Sequence, residues 1–202
     1  MTAIARISAA GVPDASPFRS ARLEQVFDAC FAASENTRLL GGFDEPLYLP
    51  SGEDGDGPPA AWHRLCYRED YFASALHEVS HWCIAGPQRR LLRDFGYWYA
   101  PDGRNAEQQA AFQSVEVRPQ ALEWCLSRAC GYPFRVSLDN LDGGAAARAS
   151  ERAFRLAVVA EANRMAQRGL PPRARRFFDA LALEFDTRLH SAELRFSPGE
   201  LD

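Results

Sequence analysis

Apolar residues recur every three to four positions in several stretches of this 202-residue chain, the repeat of a helix with one buried face. In SARLEQVFDACFAA (20–33) they are Leu23, Val26, Phe27 and Cys30, with Ser20 as the expected N-cap and Glu24 just beyond it. In DYFASALHEVSHWCIAGP (70–87) they are Leu76, Val79 and Cys83, and Gly86-Pro87 stops the helix. AEQQAAFQSVEVRPQALEWCLSRACG (106–131) predicts one helix or two, with Pro119 marking a start or a kink. Two further amphipathic helices are expected at 145–168, on Phe154, Leu156, Val158, Val159 and Met165, and at 172–189, on Phe177, Phe178, Leu181 and Phe185.

The extended segments are shorter. GGFDEPLYLP (41–50) is bounded by Gly and Pro, and AWHRLCYRE (61–69) alternates Trp62, Arg64 and Cys66 with His63, Leu65 and Tyr67. The aromatic run FGYWYAP (95–101) predicts another strand, followed by a turn at PDGR. SGEDGDGPPA (51–60) and the stretch near LDNLDGG are loops by composition. Residues 1–19 are expected to form a flexible tail and 20–202 a single domain. The pattern gives an α+β fold, mostly helical, with a small β-sheet.

Composition narrows the function. With 47% hydrophobic, 25% charged and 11% aromatic residues the chain is an ordinary globular one. A net charge of −4 argues against general electrostatic binding of nucleic acid. All 23 basic residues are arginine, so Schiff-base and P-loop lysine chemistry are excluded. Five cysteines at wide spacing, without a CxxC pair, read as reduced thiols, with Cys30, Cys83 and Cys125 in the core. No stretch approaches the roughly 18 apolar residues of a membrane span, and the N-terminus has no long apolar run of a secretory signal. The expected location is therefore the cytoplasm.

The chemistry lies in His77-Glu78-Val79-Ser80-His81, an HExxH motif inside a predicted helix. Residues four apart stand one turn apart on the same face, so both imidazoles can share one metal ion. Glu78 is rotated off that line and can serve as a general base or hold a bound water. With four histidines in the chain, the motif arises by chance in about one such sequence in two hundred. The remaining imidazoles, His63 and His190, read as core or surface histidines. A carboxylate on a second helix is the better third ligand. Glu116, between Val115 and Val117, is the first choice, and Glu123 the alternative, which otherwise reads as a solvated helix charge. Asp94, Tyr97, Tyr99, Asp102 and Arg104 cluster around the aromatic run and the PDGR turn, either as packing and turn residues or as a pocket wall. Asp44-Glu45-Pro46 reads as a turn. No GxSxG, GxGxxG or Walker sequence occurs.

Five segments in register, DEPLYLP, YFASALHEVSHWCIAG, DFGYWYAPDGR, VEVRPQALEW and GYPFRVSLDNL, closely resemble the bacterial elongation factor P hydroxylase family. The resemblance runs from about residue 21 to 142. It implies an enzyme that hydroxylates a lysine of elongation factor P already extended with a β-lysyl group. It also implies a metal held by His77, His81 and a downstream glutamate, which maps onto Glu116. Hydroxylating an unactivated C–H bond needs an oxidant. Two His and one carboxylate suit a non-haem Fe(II) centre with O₂ as co-substrate, although such a site also binds zinc. Asp94, Tyr97 and Tyr99 are then candidates to receive the ammonium groups of the substrate. The alternative is a zinc-dependent peptidase with Glu78 as general base; it explains HExxH and none of the other four segments. The expected site is zincin-like: an active-site helix beside a small sheet, with a second helix bearing the third ligand.

Overall fold

The computed structural model describes residues 16–54, 60–96, 106–137 and 145–201. These form five α-helices and one three-stranded sheet, in two compact units, residues 1–97 and 98–202. The α+β class read from the sequence holds.

The first unit contains α1 (Ser20–Phe31), β1 (Thr37–Phe43), β2 (Leu47–Leu49), β3 (His63–Arg68) and α2 (Phe72–Ile84), followed by two 3₁₀ turns at Arg89–Leu91 and Arg93–Gly96. Strand order is β1-β3-β2, with β3 parallel to β1 and antiparallel to β2. Leu65 pairs with both Leu39 and Tyr48. As the central strand, β3 buries Leu65, Cys66 and Tyr67 in succession, so its alternation does not separate a wet face from a dry one. β1 bends between Leu40 and Phe43. Gly41 is required there, because a Cβ would fall 2.5 Å from the Tyr67 hydroxyl and 2.8 Å from the Glu69 carbonyl. Glu24 on α1 fastens the bend, accepting from the Gly41 N–H and the Tyr67 hydroxyl, both at 2.9 Å.

Several expectations need correction. Ser20 is the first residue of α1, not its cap: Arg19 takes the N-cap position and makes no side-chain capping bond. The run 41–50 is two strands around a bend at Asp44–Glu45, and β1 starts earlier, at Thr37. Phe95 and Gly96 lie in a 3₁₀ turn rather than a strand, because Asp94 (φ 47) and Phe95 (φ 57) are left-handed and fold the chain back. Residues 97–101 of that expected strand, and the PDGR turn, lie outside the described residues. At the N-terminus, the Phe18 ring meets Phe72 edge-on at 5.5 Å, and residues 1–15 lie outside the described ones.

The second unit contains α3 (Ala106–Cys130), α4 (Ala145–Arg168) and α5 (Pro172–Glu184). α3 packs on both α4 and α5. It is one helix, with Pro119 inside it. Its Leu122, Cys125, Leu126 and Ala129 are fully buried, as are Val158 and Ala162 of α4 and Phe177, Phe178 and Leu181 of α5. Glu161 of α4 pairs with Arg118 of α3 at 3.6 Å and with its own helix neighbour Arg164. Two expectations differ. Leu156 is exposed on α4. α5 ends at Glu184 instead of 189, because Asp186 (φ 54) and Arg188 (φ 51) turn left-handed and Thr187 donates its hydroxyl to the Ala129 carbonyl at 2.6 Å. All five cysteines are free and buried. No helix among the described residues is long and apolar enough to cross a membrane.

Candidate metal centre

α2 is held at both ends and along its buried face. Ser74 in its first turn accepts the Arg68 N–H at the end of β3 at 3.0 Å. Its C-terminus closes when the Ala85 N–H bonds to the His81 carbonyl, ahead of Gly86-Pro87. Leu76, Val79 and Cys83 face the core as expected. Trp82 fixes the rotation of the helix: its ring sits 5.1 Å from Phe27 and 4.8 Å from Phe31 of α1, with the Arg90 guanidinium 5.8 Å away over the same ring.

With Trp82 turned into the core, His77, Glu78 and His81 are half-buried. The two imidazoles approach edge to face, with Nε2 atoms 3.1 Å apart. Two donors about 2.1 Å from one ion stand about 3.0 Å apart at a right angle and about 3.4 Å apart at the tetrahedral angle. The observed spacing falls between those values. When one ring carries an Nε2 proton it donates to the other; when neither does, both lone pairs face a shared cation. The spacing therefore suits metal binding without rearrangement of the helix.

Glu78 lies near enough to β3 to act on Cys66, whose thiol is pushed up to about 12. Burial is the main cause, opposed by Arg64 and reinforced by the carboxylates of Glu78 and Asp94. Cys66 is thus a packed, unreactive thiol. Asp94, expected at a pocket wall, anchors the backbone of β2, where its Oδ1 accepts the Tyr48 N–H at 2.8 Å. Tyr48 itself gives its hydroxyl to the Arg90 carbonyl at 2.8 Å and stacks on Phe95 at 4.3 Å. Burial holds the Asp94 carboxyl above the ordinary aspartate range, against the Tyr48 N–H and Arg93. Tyr97 and Tyr99 lie outside the described residues, as do Asp102 and Arg104.

Of the other histidines, His63 accepts the Ser51 N–H through Nδ1 at 2.9 Å, and burial holds its imidazole below the ordinary histidine range. His190 is exposed and engages Glu193. Both behave as structural histidines.

In the second unit, Glu116 is 3% exposed and Glu123 is 7% exposed, both on α3. Glu123 is therefore not the solvated charge that the sequence offered as its simple reading. Burial of two carboxylates on one helix face is costly without partners. Sequence reading passed over Gln120, also buried, between them. The signal was present: polar residues at 116, 120, 123 and 127 keep a helical period within the helix.

Comparison with known proteins agrees in direction. The model of the elongation factor P hydroxylase family matches residues 26–195. A Haemophilus influenzae protein named elongation factor P lysine hydroxylase is 42% identical over 162 residues, covering 80% of this chain and 86% of the relative.

Proposed function

The chain belongs to the elongation factor P hydroxylase family, and from that premise we propose that it hydroxylates a lysine side chain of elongation factor P. The observation that carries the chemistry is the Nε2 pair of His77 and His81 at 3.1 Å on one helix face. The proposed donor set is His77, His81 and Glu116, two imidazoles and one carboxylate, as the family resemblance implies. This set fits Fe(II) in a non-haem oxygenase site, and zinc binds such sets as well.

When bound there, Fe(II) supplies the activation of O₂ that acid–base groups lack. Insertion of oxygen into a C–H bond uses one oxygen atom of O₂, and the other leaves as water, taking two electrons from a reductant and two protons from solvent. The side chains do the rest. His77 and His81 would offer imidazole nitrogens to the ion, and Glu116 a carboxylate oxygen that offsets its positive charge. Glu78, one residue on from His77, holds a proton or a water at its carboxylate oxygens. The substrate is the β-lysyl-extended lysine, whose ammonium groups are received by Asp94, Tyr97 and Tyr99. The proposed location is the cytoplasm, where a translation factor is available as substrate.

The test is the intact mass of β-lysylated elongation factor P after incubation with the chain, Fe(II), reductant and isotopically labelled O₂. Gain of one labelled oxygen, absent with His81→Ala, is expected. Cleavage of the protein, without oxygen gain and with zinc in place of iron, would establish the peptidase reading instead.

A further inference from the structure

Four buried polar side chains of α3, Glu116, Gln120, Glu123 and Ser127, fall at i, i+4, i+7 and i+11 and so share one face. Gln120, 1% exposed, shows its reason for being there most clearly. Its Oε1 accepts the Ser137 N–H at 3.1 Å, and its Nε2 donates to the Ser137 carbonyl at 3.0 Å. The two bonds fix the orientation of the amide. Flipped, oxygen would face oxygen and N–H would face N–H. The second hydrogen on Nε2 is thereby aimed one turn along the helix, at Glu116 Oε2, 3.5 Å away.

Ser137 is itself held in place. Residues 132–137 run back along α3. The Tyr132 N–H bonds to the Ser127 carbonyl at 2.9 Å, and Phe134 stacks on Trp124 at 5.3 Å. Ser137 then meets Gln120. The anchors Ser127, Trp124 and Gln120 step toward Glu116 at intervals of three and four residues, the neighbour spacing of a helix face.

We propose that Gln120 is a positioning residue, tying the Glu116 carboxylate to the returning segment at Ser137 and so setting the orientation in which Glu116 meets a metal ion. The inference rests on the reading of Glu116 as a ligand. Partners of this kind, hydrogen-bonded to a ligating carboxylate, typically change metal affinity about 10- to 100-fold when removed.

The test uses the full chain and Co(II), titrated in competition with a chromophoric chelator. Gln120→Met conserves volume and deletes all three hydrogen bonds. The Kd for Co(II) should rise about tenfold or more, with the far-ultraviolet dichroism unchanged. On a Glu116→Ala background the same substitution should change Kd less than about twofold, because no carboxylate remains to orient. If Gln120→Met does not fold, Gln120→Asn, one methylene too short for both contacts, is measured on the same two backgrounds with the same expectation. Wild-type affinity in the Gln120 variant, or equal losses on both backgrounds, would overturn the inference and leave Glu116 as a ligand. Unchanged affinity in Glu116→Ala alone would overturn the ligand reading and this inference together.

Discussion

Helix α2 carries its two metal-capable side chains half-exposed at i and i+4, next to a tryptophan locked into an aromatic cluster. Helix α3 carries its carboxylates buried, among polar neighbours that share their face. The first arrangement is written in five consecutive residues. The second is spread over twelve and emerges only when one sees which side of the helix is covered. A short motif announces candidate donors by their spacing alone. A buried carboxylate is announced by its cost, since a helix does not place Glu, Gln and Glu on a dry face without partners for them.

The largest expected effect tests what holds α2. Trp82→Ala removes the ring that packs against Phe27 and Phe31 and should cost about 3–5 kcal/mol, read from urea unfolding. A loss under about 1 kcal/mol would mean that α2 is oriented by other contacts. Next comes the choice between carboxylates on α3. Glu116→Gln should weaken divalent-metal binding about tenfold or more, and Glu123→Gln less than about threefold, by chelator competition. The reverse order would move the ligand to Glu123.

Asp94 separates a positioning role from a binding one. Asp94→Ala deletes the acceptor for the Tyr48 N–H and should cost about 1 kcal/mol in thermal unfolding. Asp94→Asn keeps an oxygen at that position, so stability should hold while KM for the cationic substrate rises. An unchanged KM in Asp94→Asn would leave Asp94 with the Tyr48 contact alone. The smallest effect is a pH dependence. Burial lowers the His63 pKa in the folded chain, so the neutral ring contributes stability that is present above about 6.5, the unfolded value, and is lost as pH falls through the folded value. His63→Asn, which retains an acceptor for the Ser51 N–H, should flatten thermal stability over that acidic window. A slope equal to that of the wild type would assign the acid sensitivity to other groups.

Much of the fold was legible because the periodicity is local. α1, α2 and α4 begin and end within a few residues of where their apolar repeats do, and β3 lies inside its alternating run. β1 was harder, since Thr37–Leu40 has no alternation of its own and becomes a strand by pairing in parallel with His63–Cys66, far along the chain. α5 stops short of Leu189 because Asp186 and Arg188 adopt left-handed backbone that the apolar pattern does not encode. Leu156 keeps helical period with the buried residues yet faces outward. At the candidate site, the placement of His77, Glu78 and His81 on one helix was readable from spacing alone. The burial of Glu116 was readable from its flanking valines. The burial of Gln120 was not, because its hydrogen bonds depend on Ser137, seventeen residues on, returning to meet it.

The most direct measurement of the central claim is anaerobic Fe(II) titration of the full chain and of its His77→Ala, His81→Ala and Glu116→Ala variants. One ion per chain is expected for the wild type, with binding lost in either histidine variant and weakened in Glu116→Ala. Fe(II) bound with wild-type affinity by His77→Ala or His81→Ala would contradict a metal centre built on this helix.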